Sequence, residues 1–380
     1  MKTLLLISLL VPAGFGATHF ARMEQLSTDQ RIAACQKALA AEPGNPAALA
    51  DLAAAYLQKM RETTDFSYLE RAEKLVAQAL SRKPGDFEAL FLANECELNR
   101  HHFSKVVKNT EELVKSAPQD ARLWGLMGDS LMEMGDYDRA ANAYEHMLQL
   151  RPGLSSYNRV AWFRFVTGDP DGAIYAMRQA VHVAGATPEN LAWCLVDLGN
   201  LYFKTGKLVE AEANYRAALA TFDRYHPAYA GLGRVQAARH ETAEAIVSYT
   251  RAQAIVPLPD YAGALRELYQ EQGKTAQARQ QEALLDVVDR LARANYENTD
   301  RNLAIVLADE GRRLDRALEL AQNELAFRHD VYTYDALAWV LYKLNRYPEA
   351  QEAMKKATAQ HTPEPSFQKH AELIAKALQP

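Results

Sequence analysis

Four residues return together further along the chain. Trp124, Gly128, Ala140 and Pro152 have counterparts at Tyr229, Gly233, Ala245 and Pro257, and weaker echoes recur over most of the sequence. A period of about 34 residues, carrying an aromatic, a small residue four on, a mid-unit turn, an alanine and a closing proline, marks a solenoid of two-helix units. The alanine that opens the second helix of each unit falls at Ala140, Ala173, Ala211, Ala245, Ala278, Ala317 and Ala350, with gaps of 33, 38, 34, 33, 39 and 33, so two units carry small insertions.

The clearest unit shows why the pattern folds this way. Helix A runs through Trp124, Met127, Gly128 and Leu131, turns at Met134-Gly135-Asp136, and helix B returns through Tyr137, Ala140, Tyr144 and Met147. Apolar residues three and four apart give each helix one buried stripe. One unit cannot cover that stripe alone, so units must stack. No period-two alternation competes with this reading, and the class is all-α.

These residues resemble the tetratricopeptide repeat family, most closely in Leu123 to Pro152, in Leu195 to Ala218 and in Tyr229 to Pro257. Looser units are drawn at 46–84, 87–118, 154–186, 259–295, 297–328 and 331–363, making about nine in all over 46–363. The 46–84 unit is expected to carry a loop enlarged by about seven residues, and Asp300 stands at an aromatic position of 297–328. The order of units also looks like that of a group of bacterial repeat proteins. The resemblance implies a right-handed superhelical solenoid whose A helices line a concave groove.

The ends read differently. Lys2, the apolar Leu4 to Val11, and Pro12-Ala13-Gly14-Phe15-Gly16-Ala17 form a secretory signal pattern over 1–17. The apolar stretch is too short for a stable membrane span, which needs about 20 residues. Export to a periplasmic or extracellular space is expected, with an uncleaved anchor or a cytoplasmic protein as alternatives. Within 18–45, Asp29 to Ala41 reads as a capping helix, and Ser366 to Leu378 reads as another within 364–380. Cys35, Cys96 and Cys194 are isolated thiols without CxxC spacing, and Cys35 and Cys96, within helical patterns, read as buried.

Candidate chemistry dissolves into turns. His101-His102 lacks a partner at ligand spacing, and His240-Glu241 lacks a second histidine four residues on. Asp169-Pro170-Asp171-Gly172 lacks the later ligands of a calcium loop and suits a helix start, with Asp169 as cap. Arg312-Arg313 is a turn rather than a basic stripe, and a net charge of −5 does not favour nucleic acid. No nucleophile, base and orienting group assemble, so no enzyme, metal or cofactor is expected.

Binding of a protein or peptide is the expected function, and the family resemblance says where. It implies that Asn158, Trp162, Phe165, Trp193, Asn200, Phe203, Lys204 and Arg234 face the groove, with Arg159 beside them. Glu88, Glu95, Asp129 and Glu133 precede this centre, and Asp260, Glu267 and Glu271 follow it. Asn side chains can pair with a peptide backbone, aromatics give flat apolar contact, and Lys204 with Arg234 suit a carboxylate. Tyr332, Trp339 and Tyr342 fall at groove positions as a second patch. The alternative is an accessory subunit of an envelope enzyme or export complex. Replacing Asn200, Lys204 and Arg234 together is expected to weaken capture and leave unfolding nearly unchanged.

Overall fold

The computed structural model describes residues 26–184, 188–294 and 300–379; the 1–17 segment lies outside them. Among the described residues there are 20 helices and no strand. The chain divides into two compact units, up to Leu92 and from Ala93 onward.

The first unit holds α1 (Thr28–Ala41), α2 (Pro46–Thr63) and α3 (Ser67–Arg82), and the division falls within α4 (Phe87–Asn99). Ser27 and Gln30 cap the start of α1 reciprocally, and Asn45 caps α2 ahead of Pro46. Leu49, Ala79 and Ala89 pack together within its core. The Thr28 hydroxyl donates to Glu62 at 2.5 Å and Lys59 meets Asp29 at 2.7 Å, which ties α1 to α2. The enlarged loop expected in 46–84 is not there. Lys59, Met60, Arg61 and Glu62 are good helix formers, so the extra residues lengthen α2 to 18 residues and leave only 64–66 as the turn. The later insertions are absorbed in the same way, in helices of 17 and 20 residues.

In the second unit the helices continue as α5 (Phe103–Ser116), α6 (Ala121–Glu133), α7 (Tyr137–Leu150), α8 (Leu154–Val166), α9 (Pro170–Val183) and α10 (Pro188–Lys204). Next come α11 (Leu208–Thr221), α12 (His226–Ala238), α13 (Thr242–Ile255), α14 (Pro259–Glu271) and α15 (Thr275–Ala294). The last five are α16 (Arg301–Glu310), α17 (Leu314–Glu324), α18 (Val331–Lys343), α19 (Tyr347–Ala357) and α20 (Pro365–Ala377). Asp300 fills no aromatic position; its side chain accepts from the Leu303 N–H and caps α16.

The repeat residues explain the packing within each unit. All seven marker alanines are buried at the contact between helix B and helix A. A β-carbon at Gly199 or Gly233 would sit 2.6 or 2.7 Å from the ring of Tyr215 or Tyr249, and Gly128 faces Tyr144 likewise. In each case the tyrosine lies sixteen residues after the glycine. Glycine there lets a full aromatic ring fill the space between the helices at near-crystalline density.

One feature departs from the nearest-neighbour rule of solenoids. The His329 N–H donates to the Glu133 carbonyl at 2.9 Å, the Val331 N–H to the Tyr137 hydroxyl at 3.0 Å, and the Thr362 hydroxyl to the Val166 carbonyl at 2.5 Å. Met127, Leu131 and Val166 share one apolar core with Val331 and Phe367. The C-terminal repeats therefore pack along the C-terminal ends of α6 and α8, about 195 residues earlier in the chain, and we call this contact the seam.

Candidate functional site

Helices α8 and α10 carry most of the expected groove residues, and the seam reaches them. Trp162 stacks on Tyr332 with ring centroids 5.5 Å apart and planes 14° apart. Lys204 closes the box from α10, with its ammonium 4.9 Å from the centroid of Phe165, 5.5 Å from Tyr332 and 5.6 Å from Trp162. It also pairs with Glu364 at 2.6 Å, and the Tyr332 hydroxyl donates to the same carboxylate at 3.2 Å. A cation held among ring faces and a carboxylate gains from both. Burial and Glu364 together push the Tyr332 phenol well above its ordinary value. Phe165 is fully buried and packs the box from below, whereas Trp162 keeps 40% of its surface exposed.

Asn200, Phe203 and Arg234 form a second group. The Asn200 side-chain oxygen accepts from the Tyr215 hydroxyl at 2.9 Å and from Arg234 at 2.6 Å, and its amide donates to Asp197 at 3.3 Å. The Arg234 guanidinium lies 5.7 Å from the Phe203 ring. Desolvation pushes Asp197 up to about 6, against the opposing pull of Asn200, Lys204 and Arg234. The same device recurs two units earlier: Tyr144 donates to Asp129 at 2.9 Å, and Arg159 reaches back to grip both oxygens of Asp129. Arg159 thus stands apart from the Trp162 box.

Tetratricopeptide repeat models match residues 121–154 and 196–258, on the segments where these glycine, tyrosine and alanine contacts occur. The protein is a tetratricopeptide repeat protein. Its fold is similar to a chain in the crystal structure of the APC/C hetero-tetramer Cut9–Hcn1, at 14% identity and a TM-score of 0.54, covering 97% of this chain and 64% of that one. It is also similar to PilW, a widely conserved type IV pilus biogenesis factor, at 18% identity and a TM-score of 0.47 over 57% of this chain and 96% of that one. MamA matches at 23% identity and a TM-score of 0.37, over 44% of this chain and 97% of that one. No curated protein sequence matches the chain.

For this tetratricopeptide repeat protein the structure sorts the sequence candidates. Trp193, on α10, is 37% exposed and makes no ring or cation–π contact among the described residues. Asn158 is buried, with a side-chain oxygen that accepts no hydrogen bond. The second aromatic patch divides. Tyr332 joins the Lys204 box, while Trp339 is buried against His370 at 4.1 Å and donates to Asp309 at 2.8 Å. The expectation that replacing Asn200, Lys204 and Arg234 leaves unfolding unchanged does not fit this geometry, because each makes polar contacts within the chain. Sequence reasoning missed Glu364 entirely. It lies just outside the last repeat, and only its contact with Lys204 marks it.

The downstream acidic stretch lines a cavity of about 280 Å³ between α14 and α16, with Asp260, Glu267, Asp309, Arg266 and Asn302 among its walls. Arg266 pairs with Glu310 at 3.4 Å, so the lining is mixed in charge. The turn assignments stand: His101 and His240 both have positive φ between helices, Asp169 caps α9, and Arg312 and Arg313 pair with Glu282 and Asp286. All three cysteines are buried, and burial pushes the Cys194 thiol up to about 12. Among the described residues no helix is long and apolar enough to cross a membrane, and no group of three or more His, Cys, Asp or Glu is placed to hold a metal ion.

Proposed function

We propose that the protein holds a protein or peptide segment along the A helices of its middle repeats. Tetratricopeptide repeats are protein-interaction scaffolds in general. The finer reading rests on Trp193, an exposed indole on an A helix with no ring partner among the described residues, close in sequence to the polar row of Asp197, Asn200 and Lys204. Flat aromatics that keep an open face are the residues that dominate binding energy at interfaces. Phe165 packs under Lys204, and Phe203 and Arg234 flank Asn200. No catalytic role is assigned to any of these residues.

The test is affinity capture with mass spectrometry using the intact chain and a Trp193→Ala variant. The variant is expected to lose at least tenfold in recovery of a specific partner, because a central aromatic anchor accounts for about 2 kcal/mol or more, while circular dichroism and thermal unfolding stay as in the parent. Equal recovery contradicts the reading. The occupied Lys204 box favours a second reading, an accessory subunit of an envelope enzyme or export complex, and recovery of one stoichiometric complex from an envelope fraction supports it. Export is proposed on the Lys2 to Ala17 pattern alone. N-terminal sequencing of the mature protein checks it, and an intact Met1 in a soluble cytoplasmic fraction contradicts it.

A further inference from the structure

The Lys204 box is built to receive something, and in this chain what it receives is the chain itself. Three rings from two distant segments surround one ammonium, and a single carboxylate, Glu364, completes the shell. We infer that the C-terminal repeats sit on the box as an internal ligand, and that the protein partner is a segment offering a carboxylate beside an aromatic ring, which displaces Glu364 and Tyr332. This rests on the proposed binding of a protein segment along the same helices and adds the chemistry of that segment.

Three observations carry it. First, the internal occupant defines the complementary charge and shape: Lys204 takes a carboxylate, and Trp162 presents a ring face to a second ring at stacking distance. Second, the backbone hydrogen bonds and ion pairs of the seam come largely from connecting segments. His329 lies between α17 and α18, and Thr362 and Glu364 lie between α19 and α20. Segments of this kind can leave without breaking the hydrogen bonds of a helix. Glu364 makes no side-chain cap bond to α20, so its carboxylate is free to leave Lys204 while the helix stays formed. Third, the seam carries charge: Arg328 meets Glu133 at 2.7 Å. A contact between distant parts of one chain that mixes ion pairs with apolar packing has the make-up of an interface that can open. Among its apolar members, Val331 and Phe367 stand in the first turns of α18 and α20, next to those connections.

The experiment uses the full chain and one defined probe, a fluorescein-labelled peptide of residues 358–370, which contains Glu364 and Phe367. Glu364→Gln in the protein weakens the internal occupant and leaves Trp162, Phe165 and Lys204 intact. By fluorescence anisotropy this variant is expected to bind the peptide at least tenfold more tightly than the parent, and a peptide with glutamine at position 364 is expected to lose that gain. Equal affinity of parent and variant, or no binding to either, overturns the inference. Hydrogen exchange supplies a second measurement that needs no peptide. The His329 and Val331 amides, which donate across the seam, are expected to exchange faster than the Leu341 amide inside α18; equal rates mean that the seam opens only on global unfolding and overturn the inference. Loss of partner capture in Trp193→Ala together with failure of the peptide assay keeps the scaffold reading and removes this one.

Discussion

The turns of successive repeats are built alike and placed differently. His101, Gly135 and Gly168, then Gly206, His240 and Gly273, each stand two residues before a B helix with positive φ. The first three touch the C-terminal repeats. His101 stacks on Phe327 at 5.7 Å, a β-carbon on Gly135 would lie 2.5 Å from the His329 carbonyl oxygen, and one on Gly168 would lie 3.2 Å from the carbonyl oxygens of Gln360 and His361. Gly206 and Gly273 have nothing within 4 Å, and His240 is exposed. A position with the same backbone geometry in these six units has become an interface in three of them.

The contrast is broken most strongly at Gly135. Gly135→Ala adds left-handed strain and a clash with backbone that cannot turn aside, and is expected to cost about 2–4 kcal/mol in urea unfolding. Arg328→Met removes one arm of the Arg328–Glu133 pair from a seam it shares with Phe103 and Phe327. Because Glu133 keeps some solvent contact, a loss of about 1–2 kcal/mol in the same measurement is expected rather than the larger cost of stranding a dry charge. Gly206→Ala carries the left-handed strain alone and is expected to cost about 1 kcal/mol. A Gly206→Ala cost equal to that of Gly135→Ala would erase the distinction between the two sets of turns.

The smallest effect is in pH dependence. Burial, with Arg328 and Arg301 next, pushes the His101 imidazole down to about 4 from an ordinary 6.5. The folded state thus favours neutral His101; its contribution is full above pH 6.5 and is lost as pH falls towards 4. His101→Asn, which tolerates the left-handed backbone, is expected to lessen the fall in unfolding midpoint between pH 7 and pH 5 relative to the parent. His240→Asn is the comparison at an open turn and is expected to leave the fall unchanged.

Most of the fold could be read from the sequence, because each repeat buries residues whose partners lie a fixed number of positions away. Gly128 with Tyr144, Gly199 with Tyr215 and Gly233 with Tyr249 are local contacts, and their spacing announces them. Helix lengths in the inserted units were harder to read, since a segment such as Lys59 to Glu62 suits a helix and a polar loop alike. The seam had no sequence signal. It pairs His329 with Glu133 and Glu364 with Lys204, at separations set by how the stacked units curve rather than by any repeat. The site was half legible for the same reason: the repeat register singled out Trp162 and Lys204 as candidates, and only the tertiary contact reveals that they hold Tyr332 and Glu364.

The seam is tested most directly by zero-length carbodiimide crosslinking of the monomer followed by peptide mass spectrometry. The 2.6 Å ion pair predicts an amide between Lys204 and Glu364, alongside those of the local pairs Lys105–Glu97 and Lys59–Asp29. Recovery of the two local crosslinks without Lys204–Glu364 would contradict the account.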